Sequence, residues 1–415
     1  MKKPAMKIGY ILTTFPCRTE TFAAGEIEGL CKLGFVGIVL AATSQGDAHT
    51  CAETMRVFYR PSLFSTEALL SIGYLFIRYP LGLVKLLCLA FKLLGAYPRE
   101  AVSLIGNLHT IGFFARHLDR EEISHIHAYF LSWPAVIGLG LSAATGRSFS
   151  ISAHARDIFV EHGAIKLKVS RAKFVTTCTK QGLKHLKASL PAKYHHKLHL
   201  CNHGIKIVSG CSEHGGKNIS GSKRNDTVIA AGRLVQKKGF GELLRAFALV
   251  VRKKPDYRLR IVGNGPGQEQ LTELIKQLAL EDHVELLGWQ GSDMTLRLIR
   301  QAAVLVAPSL IADDGDRDGI PNVILEAFAR GTPVIASRLD GISEVVEHRR
   351  SGLLVKPGDV TELASAIKEL LNNKYLQSRF SRMAYKTVVQ RFDPAKNTKQ
   401  LAKLFIGTNG CMTKK

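Results

Sequence analysis

Paired cysteines are missing from this chain. Its eight cysteines, at 17, 31, 51, 88, 178, 201, 211 and 411, form neither a CxxC pair nor a zinc-ligand spacing. That excludes a zinc ribbon and leaves scattered reduced thiols. No segment repeats with a solenoid period and no tract is of low complexity, so a repeat array is excluded as well. Acidic residues are scarce: 34 Asp and Glu face 57 Lys and Arg, for a net charge of +23. Such a balance points to an anionic neighbour, whether nucleic acid, acidic lipid or phosphorylated small molecules, or more plainly to a basic, well-solvated surface. The first residues, Met1 to Lys7, are basic, but a strand pattern follows with no clear signal-peptide apolar region or cleavage site. A cytoplasmic location is therefore expected.

What the chain does have is apolar residues at 46 % over 415 positions, enough for two α/β cores of roughly 200 residues each. In the first half, strand-like runs alternate with helical stretches at Lys7–Leu12, Val36–Leu40, Ile123–Ala128, Phe149–Ala153, Phe174–Thr177 and Lys197–Leu200. A second series follows at Thr227–Ala231, Tyr257–Val262, Val284–Leu287, Ala303–Ala307, Val334–Ser337 and Leu353–Val355. Alternation of this kind predicts parallel sheets wrapped by helices. The clearest helix follows Gly239, with Phe240, Leu243, Leu244, Phe247 and Val251 on one stripe. Residues 1–208 are read as one domain, the Gly/Ser-rich 209–226 as a linker, 227–385 as a second domain and 386–415 as a helical tail. Residues 68–96 form an apolar stretch long enough to span a bilayer but carry Arg78, Lys85, Lys92 and the breaker Pro80. Two readings suit it: a helical segment on an anionic membrane face, or a buried helical pair with snorkelling lysines.

Four motifs carry chemistry. Asp318 to Arg330 places an acid, a tight turn and a helix starting near Pro321, with backbone N–H groups of Gly319, Ile320 and Asn322 at the helix amino terminus and Glu326 a turn further in. Such a terminus favours anionic or hydroxyl-rich ligands. Asp314, Asp316 and Asp318 open like an EF-hand loop, but its twelfth position is Leu325, so no metal is expected there. Arg233, Lys237 and Lys238 follow a strand before the striped helix, as a solvated basic turn or as cations for a diphosphate at a sheet's carboxyl edge. Gly263, Gly265 and Pro266 also follow a strand, in a turn or in a loop letting backbone approach a nucleotide, although Gln268 stands where a dinucleotide fingerprint has its third glycine. His154, with Asp157 three residues on, comes right after another strand, where it is structural or faces a ligand. His125 and His127 alternate on a strand with no carboxylate or Cys to complete a metal set, and are read as core or wall residues.

The order and spacing of FPCRTETFAAGEI (15–27), HAYF (127–130), SAHARDIF (152–159), NHGI (202–205), AGRLVQKKGF (231–240), IVGNGPGQEQL (261–271), DGIPNVILEAFARGTPVIAS (318–337) and GISEVVEHRRSGLLVKPGD (341–359) resemble the retaining family 4 glycosyltransferases of GT-B fold, of the bacterial exopolysaccharide and colanic-acid type. That resemblance implies two Rossmann-like α/β domains whose parallel sheets face a cleft. It implies transfer of a hexose from a nucleotide diphosphate donor, uridine ahead of guanosine, to a glycan or lipid-linked acceptor. No cofactor or metal is implied, because Arg233 and Lys238 would carry the donor diphosphate in place of a cation. Asp318 and Glu326 fall on the family's Glu-x7-Glu pattern, the first acid shortened by a methylene, near the donor sugar and the ribose respectively. His154 would contact the sugar from the other domain, and the loop Glu20, Thr21 and Phe22 would lie by the leaving phosphate. Two other readings compete: a catalytically inactive relative serving as a scaffold, and a basic nucleic-acid-binding protein. The second finds no nucleic-acid motif and no basic stripe with exposed aromatics to support it.

Overall fold

A computed structural model of the chain describes residues 6–17, 20–45, 55–160, 163–207 and 224–409. They divide into two compact units, Met1–Gly204 with Pro394–Lys415, and Ile205–Asp393.

The first unit is built on seven parallel strands: β1 (Lys7–Thr14), β2 (Val36–Thr43), β3 (Arg56–Tyr59), β4 (His125–Tyr129), β5 (Ser148–Ala153), β6 (Val175–Thr177) and β7 (Leu198–Leu200), in the order β3-β2-β1-β4-β5-β6-β7. All five residues of β4 and five of the eight in β1 are buried, as expected of strands covered on both faces. Around the sheet run α1 (Thr21–Lys32), α2 (Thr66–Arg78), α3 (Pro80–Leu94), α4 (Pro98–Gly106), α5 (Leu108–Arg120), α6 (Trp133–Thr145), α7 (Ala155–Phe159), α8 (Ile165–Arg171) and α9 (Lys180–Ser189). Six strands lie where the apolar runs predict them. The seventh, β3 with the sequence RVFY, is a short half-exposed edge strand without a buried residue and falls outside those runs.

His125 and His127 belong to the core. Both are fully buried, and their ring nitrogens lie 2.7–3.0 Å from the hydroxyls of Ser148, Ser150 and Ser152 on the neighbouring strand. Burial holds His125 down to about 3 and His127 well below the ordinary imidazole value.

The 68–96 stretch is the bent pair α2 and α3, whose axes meet at 108°. No single helix among the described residues is long and apolar enough to cross a membrane. One face of each helix is packed into the unit. Leu75, Leu86, Leu89 and Leu93 join the core, and the backbone approaches at Gly82 and Gly112 are so close that a Cβ would lie 1.9 and 2.0 Å from the carbonyl oxygens of Ala144 and Ser71. The outer face is exposed, so the pair is not buried as a whole.

The second unit has six parallel strands, β8 (Arg224–Ala231), β9 (Arg258–Val262), β10 (Val284–Leu286), β11 (Ala302–Ala307), β12 (Val334–Ser337) and β13 (Gly352–Val355), in the order β10-β9-β8-β11-β12-β13. Its helices are α10 (Phe240–Val251), α11 (Gln268–Gln277), α12 (Ser292–Gln301), α13 (Asn322–Ala329), α14 (Asp340–Ser343), α15 (Val360–Asn372) and α16 (Lys374–Arg391). The stripe predicted after Gly239 is the buried face of α10.

The division differs from the one read in the sequence. The first unit closes at Gly204 rather than 208, and the tail expected as one piece from 386 is split. Helix α16 stays with the second unit, whereas α17 (Pro394–Asn409) returns to the first and buries Leu401, Ala402 and Phe405 against its core. Of the linker expected at 209–226, residues 224–226 already belong to β8, and the rest lie outside the described residues. Cys17, Cys31, Cys88, Cys178 and Cys201 form no disulfide among the described residues, and the other three cysteines lie outside them.

Candidate functional site

In the second unit the strand order reverses between β8 and β11, and open parallel sheets bind ligands outside the carboxyl ends of the strands at such a reversal. After β8 the chain turns through Gly232–Val235 and a single 3-10 turn, Gln236–Lys238, into α10. Gly239 makes that turn at φ 63°, where a Cβ would sit 1.9 Å from the carbonyl oxygen of Pro308. The Leu310 N–H donates to the Lys237 carbonyl at 2.8 Å. Backbone contacts thus fasten the basic turn to the segment leaving β11.

The side chains complete the junction. Lys238 Nζ donates to both carboxylate oxygens of Asp318, at 2.9 and 2.8 Å, and the Ser309 hydroxyl donates to Oδ2 at 2.7 Å. Lys237 Nζ donates to Asp316 Oδ1 at 3.0 Å, and the Asp316 N–H to Asp314 Oδ1 at 2.9 Å. The run that opens like a calcium loop therefore folds onto two lysines. Asp318 is only 8 % exposed. Burial alone would raise its pKa, but Lys238, Lys237 and the bonds from Lys238 and Ser309 hold it below the usual carboxylate range. Arg233 contrasts with this pair: it is exposed and forms no ion pair among the described residues. It begins close by, since a Cβ on Gly232 would touch the Lys238 stem at 3.4 Å.

The glycines after β9 serve an approach of backbone to backbone. A Cβ on Gly263, whose φ is 134°, would lie 2.0 Å from the Gly232 carbonyl oxygen, and one on Gly265 2.5 Å from that of Leu234. The Leu234 N–H donates to the Asn264 carbonyl at 3.0 Å. The loop Gly263–Pro266 is thereby laid against the turn that carries Arg233.

Helix α13 starts one residue later than the sequence suggests. Pro321 is its N-cap, in extended conformation, rather than a member of the first turn, and no side chain caps the helix. Pro321 lacks an N–H, so it marks the start from outside as readily as from within. The turn Gly319–Ile320 ahead of it is braced by α14, where a Cβ on Gly341 would lie 2.4 Å from the Gly319 carbonyl oxygen. Glu326 lies in α13, and burial raises its pKa against the opposing effect of Arg330.

In the first unit the reversal lies between β1 and β4, and a ring cluster fills its carboxyl edge. Glu20, Thr21 and Phe22 are not a loop: Glu20 is the N-cap of α1, and Thr21 and Phe22 start the helix. The Phe22 ring stacks on His203 at 4.2 Å and lies 4.7 Å from His154, with Phe130 4.5 Å from His154 on another side. His154 Nε2 lies 3.1 Å from His203 Nε2, and His203 Nδ1 lies 2.6 Å from Glu26 Oε1. The Tyr129 hydroxyl donates to the other Glu26 oxygen at 3.1 Å.

The charges in this chain follow from its ends. Burial opposes protonation of His203, but Glu26, with help from Cys178, outweighs it and lifts the pKa to about 10. Burial and the charge on His203 hold His154 well below the ordinary imidazole value. A protonated His203 donates from both nitrogens, so His154 accepts at Nε2 and carries its own proton on Nδ1. Glu20 is raised to about 7 by burial and by the nearby Asp157.

The sequence names His154 and Phe22 but not their partners Glu26 and His203, nor Ser309 beside Asp318. Glu26 and His203 do fall inside the segments 15–27 and 202–205 that carry the resemblance, which was the one signal available for them.

Residues 217–387 match the family described as Glycosyl transferases group 1. Among curated proteins, the chain is 35 % identical over 179 residues to WcaL of Salmonella typhimurium, a glycosyltransferase whose name assigns it provisionally to colanic acid biosynthesis; the match covers 43 % of this chain and 44 % of that one. It is 36 % identical over 143 residues to the amylovoran biosynthesis glycosyltransferase AmsK of Erwinia amylovora, covering 34 % and 35 % of the two chains. The matched stretches thus span less than half the length of these relatives. Among solved structures, Anabaena HepE in complex with UDP and glucose superimposes with a TM-score of 0.69 at 20 % identity, covering 97 % of this chain and all of that one. The two parallel α/β units are those of the GT-B fold.

Proposed function

Taking residues 217–387 as a glycosyl transferases group 1 domain, we propose that this chain is a retaining, metal-independent hexosyltransferase that moves a sugar from a uridine diphosphate donor to a glycan or lipid-linked acceptor in cell-surface or exopolysaccharide assembly. The observation that carries the reading is the junction of β8 and β11, where exposed Arg233 starts beside the Lys238–Asp318 pair. An ammonium has three N–H donors, and Asp318 takes two of those of Lys238. The third, with the Arg233 fork, is left to meet a diphosphate. Negative charge grows on that group as the glycosidic bond breaks, so these cations stabilise the transition state without a metal.

Asp318 has a different part from a direct sugar contact. Its oxygens are spent on Lys238 and Ser309, so it fixes the direction of the ammonium, and hydroxyls of the sugar meet the backbone of Gly319–Asn322 instead. Gly263, Gly265 and Pro266 flank the nucleotide, and Glu326 accepts from the ribose. The contact to the reacting sugar that the resemblance gives to His154 suits a neutral imidazole bonding a hydroxyl. The relatives named for exopolysaccharides support the acceptor class, and the UDP bound by HepE supports the base.

Calorimetric titration with uridine, guanosine and adenosine diphosphates in chelator tests this reading. Selective uridine diphosphate binding, weakened by Glu326→Ala, is expected. Absence of binding by any nucleotide would shift the weight to an inactive scaffold, and binding of nucleic acid at physiological salt instead would favour the nucleic-acid reading. Turnover that needs added magnesium or manganese would overturn metal independence.

A further inference from the structure

Exposed apolar side chains are unevenly distributed. Fifteen of the 23 large ones among the described residues lie between Leu63 and Ile105, on α2, α3, α4 and their flanks. Ile77 is 85 % exposed, Phe91 79 % and Leu81 76 %, with Leu69, Phe76 and Val102 close behind. Scattered exposed apolar residues are ordinary, but a concentration of this size on consecutive helices marks a surface that is covered in use. The helices cannot cover it by turning, because their opposite faces are locked into the core by Leu75, Leu86, Leu89 and Leu93 and by the close approaches at Gly82 and Gly112.

The charges on this segment are sorted. Arg78, Lys85, Lys92 and Arg99 are all exposed. The two acids between residues 63 and 105, Glu67 and Glu100, turn away: Glu67 bonds Arg116 of α5, and Glu100 lies 3.9 Å from the buried Lys168. The outer face is therefore apolar with cations only. A second copy of the chain would set four cations against four cations, whereas an anionic bilayer offers acyl chains to the leucines and phenylalanines and phosphates to the lysines and arginines. The 108° bend at Tyr79–Pro80 suits helices that lie along a surface rather than cross it.

We propose that the outer face of α2–α4 docks the chain onto the surface of an anionic bilayer. The proposal stands independently of the glycosyl-transfer reading, since it rests on other residues. It is tested by co-sedimentation of the full chain with vesicles of phosphatidylcholine alone and of phosphatidylcholine mixed equally with phosphatidylglycerol. Binding to the mixed vesicles is expected, at least about tenfold tighter than to the neutral ones, given about 1 kcal/mol for each basic residue at such a surface. The double variant Lys85→Gln/Lys92→Gln should lose about tenfold on the mixed vesicles, and Phe76→Ser/Phe91→Ser at least as much. Uridine diphosphate binding and thermal unfolding should be unchanged in both, because the four side chains are exposed. Release of the unmodified protein by salt gives a reading that needs no variant. Failure to bind either vesicle, equal binding to both, or wild-type binding by both double variants would overturn the proposal. So would concentration-dependent self-association abolished by Phe76→Ser/Phe91→Ser without vesicle binding, which would make a second copy the occupant.

Discussion

The two strand-order reversals have the same geometry and opposite contents. In the first unit the carboxyl edge is filled by the chain's own rings, with one charge, His203 against Glu26, sealed among Phe22, Phe130 and Tyr129. In the second it is lined by cations, one of them neutralised by Asp318 and another, Arg233, exposed. A buried charge pair in the first unit can only hold position. The exposed cation in the second is available to a ligand. The contrast teaches that the fold supplies the place and the side chains decide whether its charge is already paired or left to a ligand.

The largest effect should come from breaking the neutralised pair. Lys238→Ala leaves the buried Asp318 carboxylate without its main partner and should cost about 3–5 kcal/mol in urea unfolding, beyond its loss of turnover. Adding Asp318→Asn should restore most of the stability but not the activity. Equal stability of Lys238→Ala and wild type would mean that Asp318 is solvated and the pair unimportant.

Glu26→Gln tests the sealed charge of the first unit. The His203 pKa stands at about 10 against 6.5 unperturbed, so its contribution to stability is fully present below pH 6.5 and is lost as the pH rises through about 10. The variant should be less stable at neutral pH and should lack that alkaline loss in pH-dependent unfolding. A nuclear magnetic resonance titration placing His203 near its ordinary value in the wild type would remove the charge from the cluster.

Arg233→Ala should sharpen the comparison from the open side, cutting turnover at least about tenfold with no change in unfolding, because the side chain is exposed. Unchanged kinetics would withdraw the diphosphate assignment. The smallest effect belongs to Glu20, raised from 4.5 to about 7 by burial and Asp157. A raised acid favours folding most at low pH, so its contribution is full below pH 4.5 and fades as the pH rises through about 7. Glu20→Gln should flatten this part of the stability profile, and an identical profile would place Glu20 in solvent.

Much of the fold is legible in the sequence because strands covered on both faces bury most of their side chains, and twelve of the thirteen strands overlap the runs read in the sequence. The edge strand β3, RVFY with no buried residue, falls outside those runs. Individual site residues are legible where they follow strands, as Arg233 and His154 do. Their pairings are not, since Lys238 and Asp318 lie 80 positions apart and Glu26 and His203 lie 177 apart, and only the fold joins them. Helix α17 shows the same limit. Amphipathic spacing says that Leu401 and Phe405 are buried but not against which unit.

That helix also sets a timetable for synthesis. Phe405 packs its ring against His125, His127 and Phe174 at 5.1–5.5 Å, and it is translated after every strand of both units. The second unit is an insertion whose ends meet, with the Ile205 N–H donating to the Phe392 carbonyl at 2.9 Å, and all its strands and helices are translated before Pro394. It can finish folding while the first unit still shows a bare aromatic face. The first unit, begun earlier, is therefore completed after the second, and a nascent chain stopped short of Pro394 would carry its unfinished surface in the unit begun first.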